Sequence, residues 1–259
     1  PEPQQPAEQT ETAKYEDGIY FAVEDFFGGN GWKYFVTLEV KDGKIASAEW
    51  NGVHIEGGKD KLTRCKDGEY TLPSDLNWDE QAKRAVDYLL EKQDPTAISY
   101  TDDEGHTDDI AGVSIHVVEF FELAKKALDN GPIPVGPYKD GFYYAQESEF
   151  VSGWKYMTHI AVKNGTIVAA DWNGIPEEKG ALDKDNLSKS GEYGLVAKGG
   201  AQAEWHEQAQ RAEAYLLKTQ DPTKITYNDE KGHTDDIAGV SIHVIEFFKL
   251  AEEALKDAK

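Results

Sequence analysis

Thirteen consecutive residues, Gly105 to Val117 (GHTDDIAGVSIHV), recur unchanged as Gly232 to Val244, while the stretches around them differ freely between the two occurrences. Cores accept apolar exchanges of similar volume, so strict identity that includes Asp, His, Ser and Gly points to a site that needs those groups. The segment is an acidic turn (Thr107, Asp108, Asp109) leading through Ala111 and Gly112 to Val113 and a hydroxyl, Ser114. The second occurrence supplies Asp235, Ala238, Gly239, Val240 and Ser241 at the same places. Apolar spacing over Val113, Val117, Phe120, Phe121, Ala124 and Leu128 predicts a helix from about Val113 to Leu128, with Ser114 in its first turn. Amide groups there lack intrahelical acceptors and the helix dipole adds positive charge, so a phosphate would be well seated beside the hydroxyl. Gly112 and Gly239 would let it approach the backbone closely. The alternative is an ordinary N-cap by Thr107, Asp108 or Asp109, with Ser114 merely facing solvent.

Two aromatic positions, among others, recur in both copies: Trp32 with Trp154 and Trp50 with Trp172. Each pair could wall a flat ligand or fill a core, and both readings stay open. His106/His233 and His116/His243 could donate a hydrogen bond or a proton, but with Asp108 they have no recognised metal-ligand spacing. The single Cys65 excludes an intrachain disulfide and any Cys-rich metal or iron–sulfur site, and packing is its expected role.

Asp108-Asp-Ile-Ala-Gly-Val-Ser114 and Asp235-Asp-Ile-Ala-Gly-Val-Ser241 resemble the Asp-x-x-(Ser/Thr)-Gly-Ala-Thr signature of the bacterial FMN-binding domain family. In that family a flavin transferase, using FAD and Mg²⁺, joins FMN through its phosphate to the last hydroxyl of the signature. Members include subunits of sodium-pumping NADH:quinone reductase and Rnf complexes, and Gram-positive lipoproteins of flavin-based extracellular electron transfer. The duplication, the acidic charge and the N-terminal spacer are most similar to the lipoproteins. The chain departs from the signature at Ala111 and Ala238 (Ser/Thr), Val113 and Val240 (Ala), and Ser114 and Ser241 (Thr). Serine and threonine hydroxyls form the same kind of phosphoester.

The resemblance therefore implies two FMN groups, one each on Ser114 and Ser241, with Asp108 and Asp235 in the sequence the transferase recognises. It implies an electron carrier at the extracellular face of the cell membrane, lipid-anchored in the full-length protein. Its partners would be a membrane NADH dehydrogenase/quinone relay and extracellular acceptors such as ferric iron. From the residues alone, a secreted ligand-binding or adhesion module without covalent cofactor is the alternative. No Gly-rich nucleotide loop or nucleophile–base pair marks a self-contained enzyme.

The elements that must position these groups are read from the same duplication. Gly31-Trp-Lys-Tyr34 aligns with Gly153-Trp-Lys-Tyr156, and Trp50-Asn-Gly52 with Trp172-Asn-Gly174. From Trp78 against Trp205 onward the shift is five residues larger, an insertion between Gly180 and Trp205 in which Lys198-Gly-Gly200 reads as loop. Aromatic and β-branched residues predict strands over Ile19 to Asp25, Trp32 to Val40 and Ile45 to Trp50, with a tight turn at Lys41 to Lys44 repeated at Asn164-Gly165. Trp78 to Lys92 and Trp205 to Lys218 read as amphipathic helices stopped by Asp94-Pro95 and Asp221-Pro222. Each copy is expected to be α+β, an antiparallel sheet packed against two helices. The boundaries are a disordered tether over 1–14, copies over 15–130 and 138–259, and a Pro/Gly linker over 131–137.

The chain has 49 acidic and 27 basic side chains, a formal charge of -22. That charge repels a phosphate backbone, so nucleic acid is not an expected partner. No apolar run approaches the length of a membrane span.

Overall fold

A computed structural model describes residues 14–259; the predicted tether, apart from Lys14, lies outside the described residues. The first copy forms β1 (Gly18–Val23), β2 (Trp32–Lys41) and β3 (Lys44–His54), then α1 (Lys61–Lys66), α2 (Trp78–Lys92) and α3 (Val118–Asn130). The second forms β4 (Gly141–Gln146), β5 (Trp154–Lys163) and β6 (Thr166–Pro176), then α4 (Lys184–Lys189), α5 (Leu195–Gly199), α6 (Trp205–Thr219) and α7 (Ile245–Leu255). The class is α+β, two three-stranded antiparallel sheets ordered β1-β2-β3 and β4-β5-β6.

The hairpin turns work as their residues require. Asp42 and Gly43 take φ of 52° and 72°, Asn164 and Gly165 take 53° and 74°, and the left-handed pair matches the twist of the flanking strands. Along β2, Tyr34, Val36, Leu38 and Val40 face the helices. A sheet of three strands is marginal alone, and burial of this face under α2 and α3 supplies what it lacks. Trp50, Trp78, Phe120 and Phe121 fill the layer between. Trp172, Trp205, Phe247 and Phe248 do so in the second copy.

The opposite faces of the sheets meet each other. Phe21, Phe35 and Ala161 are buried there among Val23, Val53, Ile133, Val168 and Ala169. Phe35 and Phe142 have ring centroids 4.3 Å apart across the junction. The Pro/Gly segment is bonded to both copies: Ile133 N–H donates to the Ile19 carbonyl (2.7 Å) and Gly136 N–H to the Asn164 carbonyl (2.8 Å).

Three expectations are corrected. The closing helix of the first copy begins at Val118, not at about Val113, and that of the second at Ile245, because the residues before them are held in an irregular loop described below. The inserted stretch contains the short helix α5, which stops at a left-handed Gly200 (φ 69°). Each sheet also carries an additional short helix, α1 or α4, started by an Asp60 or Asp183 side chain that accepts from the third amide of the turn. No helix among the described residues is long and apolar enough to cross a membrane.

Candidate functional site

Within the repeated segment, buried anchors alternate with exposed groups. Gly105, Thr107, Ile110 and Val117 are buried, whereas Asp108, Asp109, Ala111, Gly112 and Ser114 are exposed. Thr107 Oγ1 donates to the Ser99 carbonyl (2.7 Å) and accepts from Asp109 N–H (3.1 Å). The Asp109 carboxylate accepts from Ser99 N–H (2.8 Å). These bonds draw the chain away from a helical path, as Ser, Thr and Asp side chains do when they compete for backbone groups. Thr234 and Asp236 repeat them with Thr226.

Ser114 therefore stands ahead of the helix and not within its first turn. Its amide and that of Ile115 donate to one oxygen, Oε1 of the buried Gln81 on α2, at 2.7 and 3.1 Å, and the Ser114 hydroxyl lies 3.3 Å from the same atom. Gln208 holds Ser241 and Ile242 at 2.7, 3.2 and 3.3 Å. The amides expected to receive a phosphate are thus already satisfied by a side chain. The cation at this place is Arg84, one helical turn beyond Gln81, whose Nη1 donates to the Ala111 carbonyl. Arg211 donates to the Gly239 carbonyl in the second copy.

Ser74, Asp75, Leu76, Gln81, Arg84, Gly112, Val113 and Ser114 line an open groove of about 580 Å³. That is within the range of small-ligand sites. Gly112 has φ 73°, and a Cβ there would overlap the Arg84 guanidinium. Gly239 (φ 74°) stands in the same relation to Arg211, with 2.7 Å between a Cβ and Nη1. A phosphate ester on Ser114 fits this set: an exposed hydroxyl, a guanidinium able to bond two phosphate oxygens, and a backbone stripped of the side chain that would displace it.

Of the other candidates, Ala111 and Ala238 are exposed beside the arginines, and Val113 and Val240 are half-buried. Asp108 and Asp235 point to solvent, which leaves them clear of a phosphate on the serine. Trp50 and Trp172 are 2% and 0% exposed, stacked on Phe120 and Phe247 at 5.3 and 5.5 Å. The core reading holds for this pair, and no ring face is left to a ligand. Trp32 and Trp154 lie along the sheet beside α1 and α4.

A second duplicated cluster was missed from the sequence. Lys61 on α1 is 1% exposed, with Nζ 4.5 to 5.0 Å from the ring centroids of Trp32, Tyr34, Tyr70 and Trp78 and donating to the Tyr34 hydroxyl (2.5 Å). Lys184 has the same box of Trp154, Tyr156, Tyr193 and Trp205. Burial pulls both ammonium groups down to about 8. Carboxylates flank Lys61: Glu24, which accepts from Tyr34 N–H (2.6 Å) and is pushed by burial up to about 7, and Glu119; Glu147 and Glu246 flank Lys184. His116 pairs with Glu119 (2.6 Å) and His243 with Glu246 (2.8 Å), and these hydrogen bonds raise both imidazoles above the ordinary histidine range. His106 and His233 instead pair with Asp102 and Asp229. The available signal was the recurrence of Lys61, Tyr34 and Glu24 as Lys184, Tyr156 and Glu147 amid drifted neighbours. Among the described residues no His, Cys, Asp and Glu gather with metal-holding geometry.

No protein-family model matches the chain. No curated protein matches it either. Among solved structures, a solution NMR structure of a protein from Clostridium thermocellum is 57% identical, with 46% of this chain and 91% of that chain covered and a TM-score of 0.37. A crystal structure of a protein from Clostridium perfringens is 26% identical, with 47% and 88% covered and a TM-score of 0.37.

Proposed function

We propose that the chain is an electron-transfer flavoprotein carrying two FMN groups, phosphoester-linked to Ser114 and Ser241. The observation that carries this reading is a set of exposed residues identical in both copies. Asp108, Ala111, Gly112 and Ser114 face solvent, where drift is least restrained, and yet match Asp235, Ala238, Gly239 and Ser241. Backbone conformation and Arg84 account for Gly112, but packing does not call for the identity of Asp108, Ala111 and Ser114, which recognition by a modifying enzyme would explain.

In this reading the Ser114 oxygen bonds to the FMN phosphorus of FAD as the pyrophosphate bridge breaks. AMP departs, and the hydroxyl proton is released. Gln81 fixes the serine backbone so that the hydroxyl stays at the groove mouth, and Arg84 neutralises the phosphodiester. Bound flavin supplies one- and two-electron redox chemistry. Leu76 and Val113 are the apolar side chains that line the groove with the serine. The site is extracytoplasmic in this proposal, fed by a membrane NADH/quinone relay and drained by acceptors such as ferric iron.

Coexpression with a flavin transferase, FAD and Mg²⁺ followed by intact mass measurement tests the reading. Two flavin increments and a yellow colour that survives denaturation are expected. Ser114→Ala and Ser241→Ala should each remove one increment. Colour lost on denaturation would mean FMN held without a bond, and a colourless chain of unaltered mass would overturn the proposal in favour of a ligand-binding module.

A further inference from the structure

The junction between the copies contains an ionic cluster that belongs to neither site. Lys33 of β2 reaches across to the Asp171 carboxylate of β6, and both side chains are 7% exposed. Asp185 of α4 is 4% exposed, and Glu213 of α6 accepts from Trp172 N–H (2.7 Å) against the same lysine. Three carboxylates thus share one ammonium group. Asp171 Oδ1 and Asp185 Oδ1 are buried and have no hydrogen-bond partner. Fully ionised, the cluster would bury two uncompensated negative charges, which a protein interior does not tolerate when protonation is open to it. The other charged groups facing it are Asp25, at the surface end and tied to Lys126 (3.0 Å), Glu24 beside it on the groove wall, whose carboxylate accepts from Tyr34 N–H, and Asp183 at the start of α4. His159 of β5 is buried beside it, bonded to the His54 carbonyl (2.8 Å) and pulled down to about 4 by burial, so it adds no positive charge near neutrality.

We propose that Asp185 and Glu213 form a proton-held latch around the Lys33–Asp171 pair, closed while those two acids retain their protons and opened between the two copies when they are released. The proton has a route out, since Lys33 and Glu213 line a surface groove of about 200 Å³ with Asp25 and Gln210. Burial pushes Glu213 up to about 8 and Asp185 well above the usual carboxylate range. The closed form therefore holds a proton that a solvated glutamate, titrating near its ordinary value of 4.5, has already lost. Between those limits each pH unit shifts the open-to-closed ratio up to about tenfold toward open. Copy 1 carries Glu49 at the position equivalent to Asp171 but Leu62 and Val86 at those equivalent to Asp185 and Glu213, so the two additional acids stand on one side only.

The test uses the full chain with Cys65→Ser and spin labels at Lys66→Cys and Glu192→Cys, one in each copy. One narrow inter-label distance is expected near about pH 6 and a second, longer population near about pH 9. Glu213→Gln should stay narrow at both values. Glu213→Val, which installs the residue copy 1 carries, gives the same readout should the glutamine variant misfold. An unchanged distance distribution in the parent chain, or equal opening in the Glu213 variants, would overturn the latch.

Discussion

Gln81 holds Ser114 by accepting two consecutive amides on one oxygen, and Gln208 holds Ser241 by the same bonds. Its own amide group donates to the Leu76 carbonyl (2.9 Å), so the glutamine links the start of α2 to the loop. Gln81→Ala leaves the Ser114 and Ile115 amides without their partner. A loss of about 1–3 kcal/mol in urea unfolding is expected. Gln208→Ala should act alike in the second copy, and each variant should lower flavin loading of its own serine only.

Gly112 is required twice over, by its left-handed backbone and by the guanidinium lying where a Cβ would stand. Gly112→Ala is expected to cost about 1–3 kcal/mol. Arg84→Ala tests the second requirement. With the guanidinium gone, the additional cost of Gly112→Ala should fall to the backbone part alone, which a double-mutant cycle measures.

Only part of this was legible in the sequence. The hairpins and α2 were, because turn residues and apolar periodicity are local signals. The start of α3 was not. Val113 and Val117 have helical spacing, but the Thr107 and Asp109 side chains and Gln81, over thirty residues away, capture the backbone groups a helix would use. The groove was half legible: Ser114 and Gly112 stand in the repeat, while Arg84 gains meaning only once α2 lies against the loop. The box around Lys61 draws on rings at 32, 34, 70 and 78, which no single window displays together.

Lys61 and Lys184 should leave a signature at alkaline pH. Each is pulled from its ordinary 10.5 to about 8 by burial, so between those values the unfolded chain binds more protons than the folded one. The charged form is a destabilising contribution, present in full below about 8 and removed as pH rises toward 10.5. Stability measured across that window should rise by roughly 2–3 kcal/mol per lysine against the background of other groups. Lys61→Met should flatten the rise by one lysine's share.

The histidine pairs titrate in the opposite sense. His116 and His243 are raised by Glu119 and Glu246, so their small stabilisation is complete below the ordinary histidine value of 6.5 and disappears as pH climbs through the higher folded value. Both rings are nearly half exposed, and solvent keeps the contribution at or below about 1 kcal/mol. Proton NMR should find both titrating above 6.5, and Glu119→Gln should return His116 alone toward that value.

The one-sided placement of Asp185 and Glu213 has a consequence for assembly. A head-to-tail contact between like units can propagate without end unless one unit lacks the matching half. Because Leu62 and Val86 stand where the first unit would need its second and third acids, Glu49 can match Asp171 there but the three-acid cluster cannot be built. The two halves of the chain are therefore not interchangeable parts at this junction.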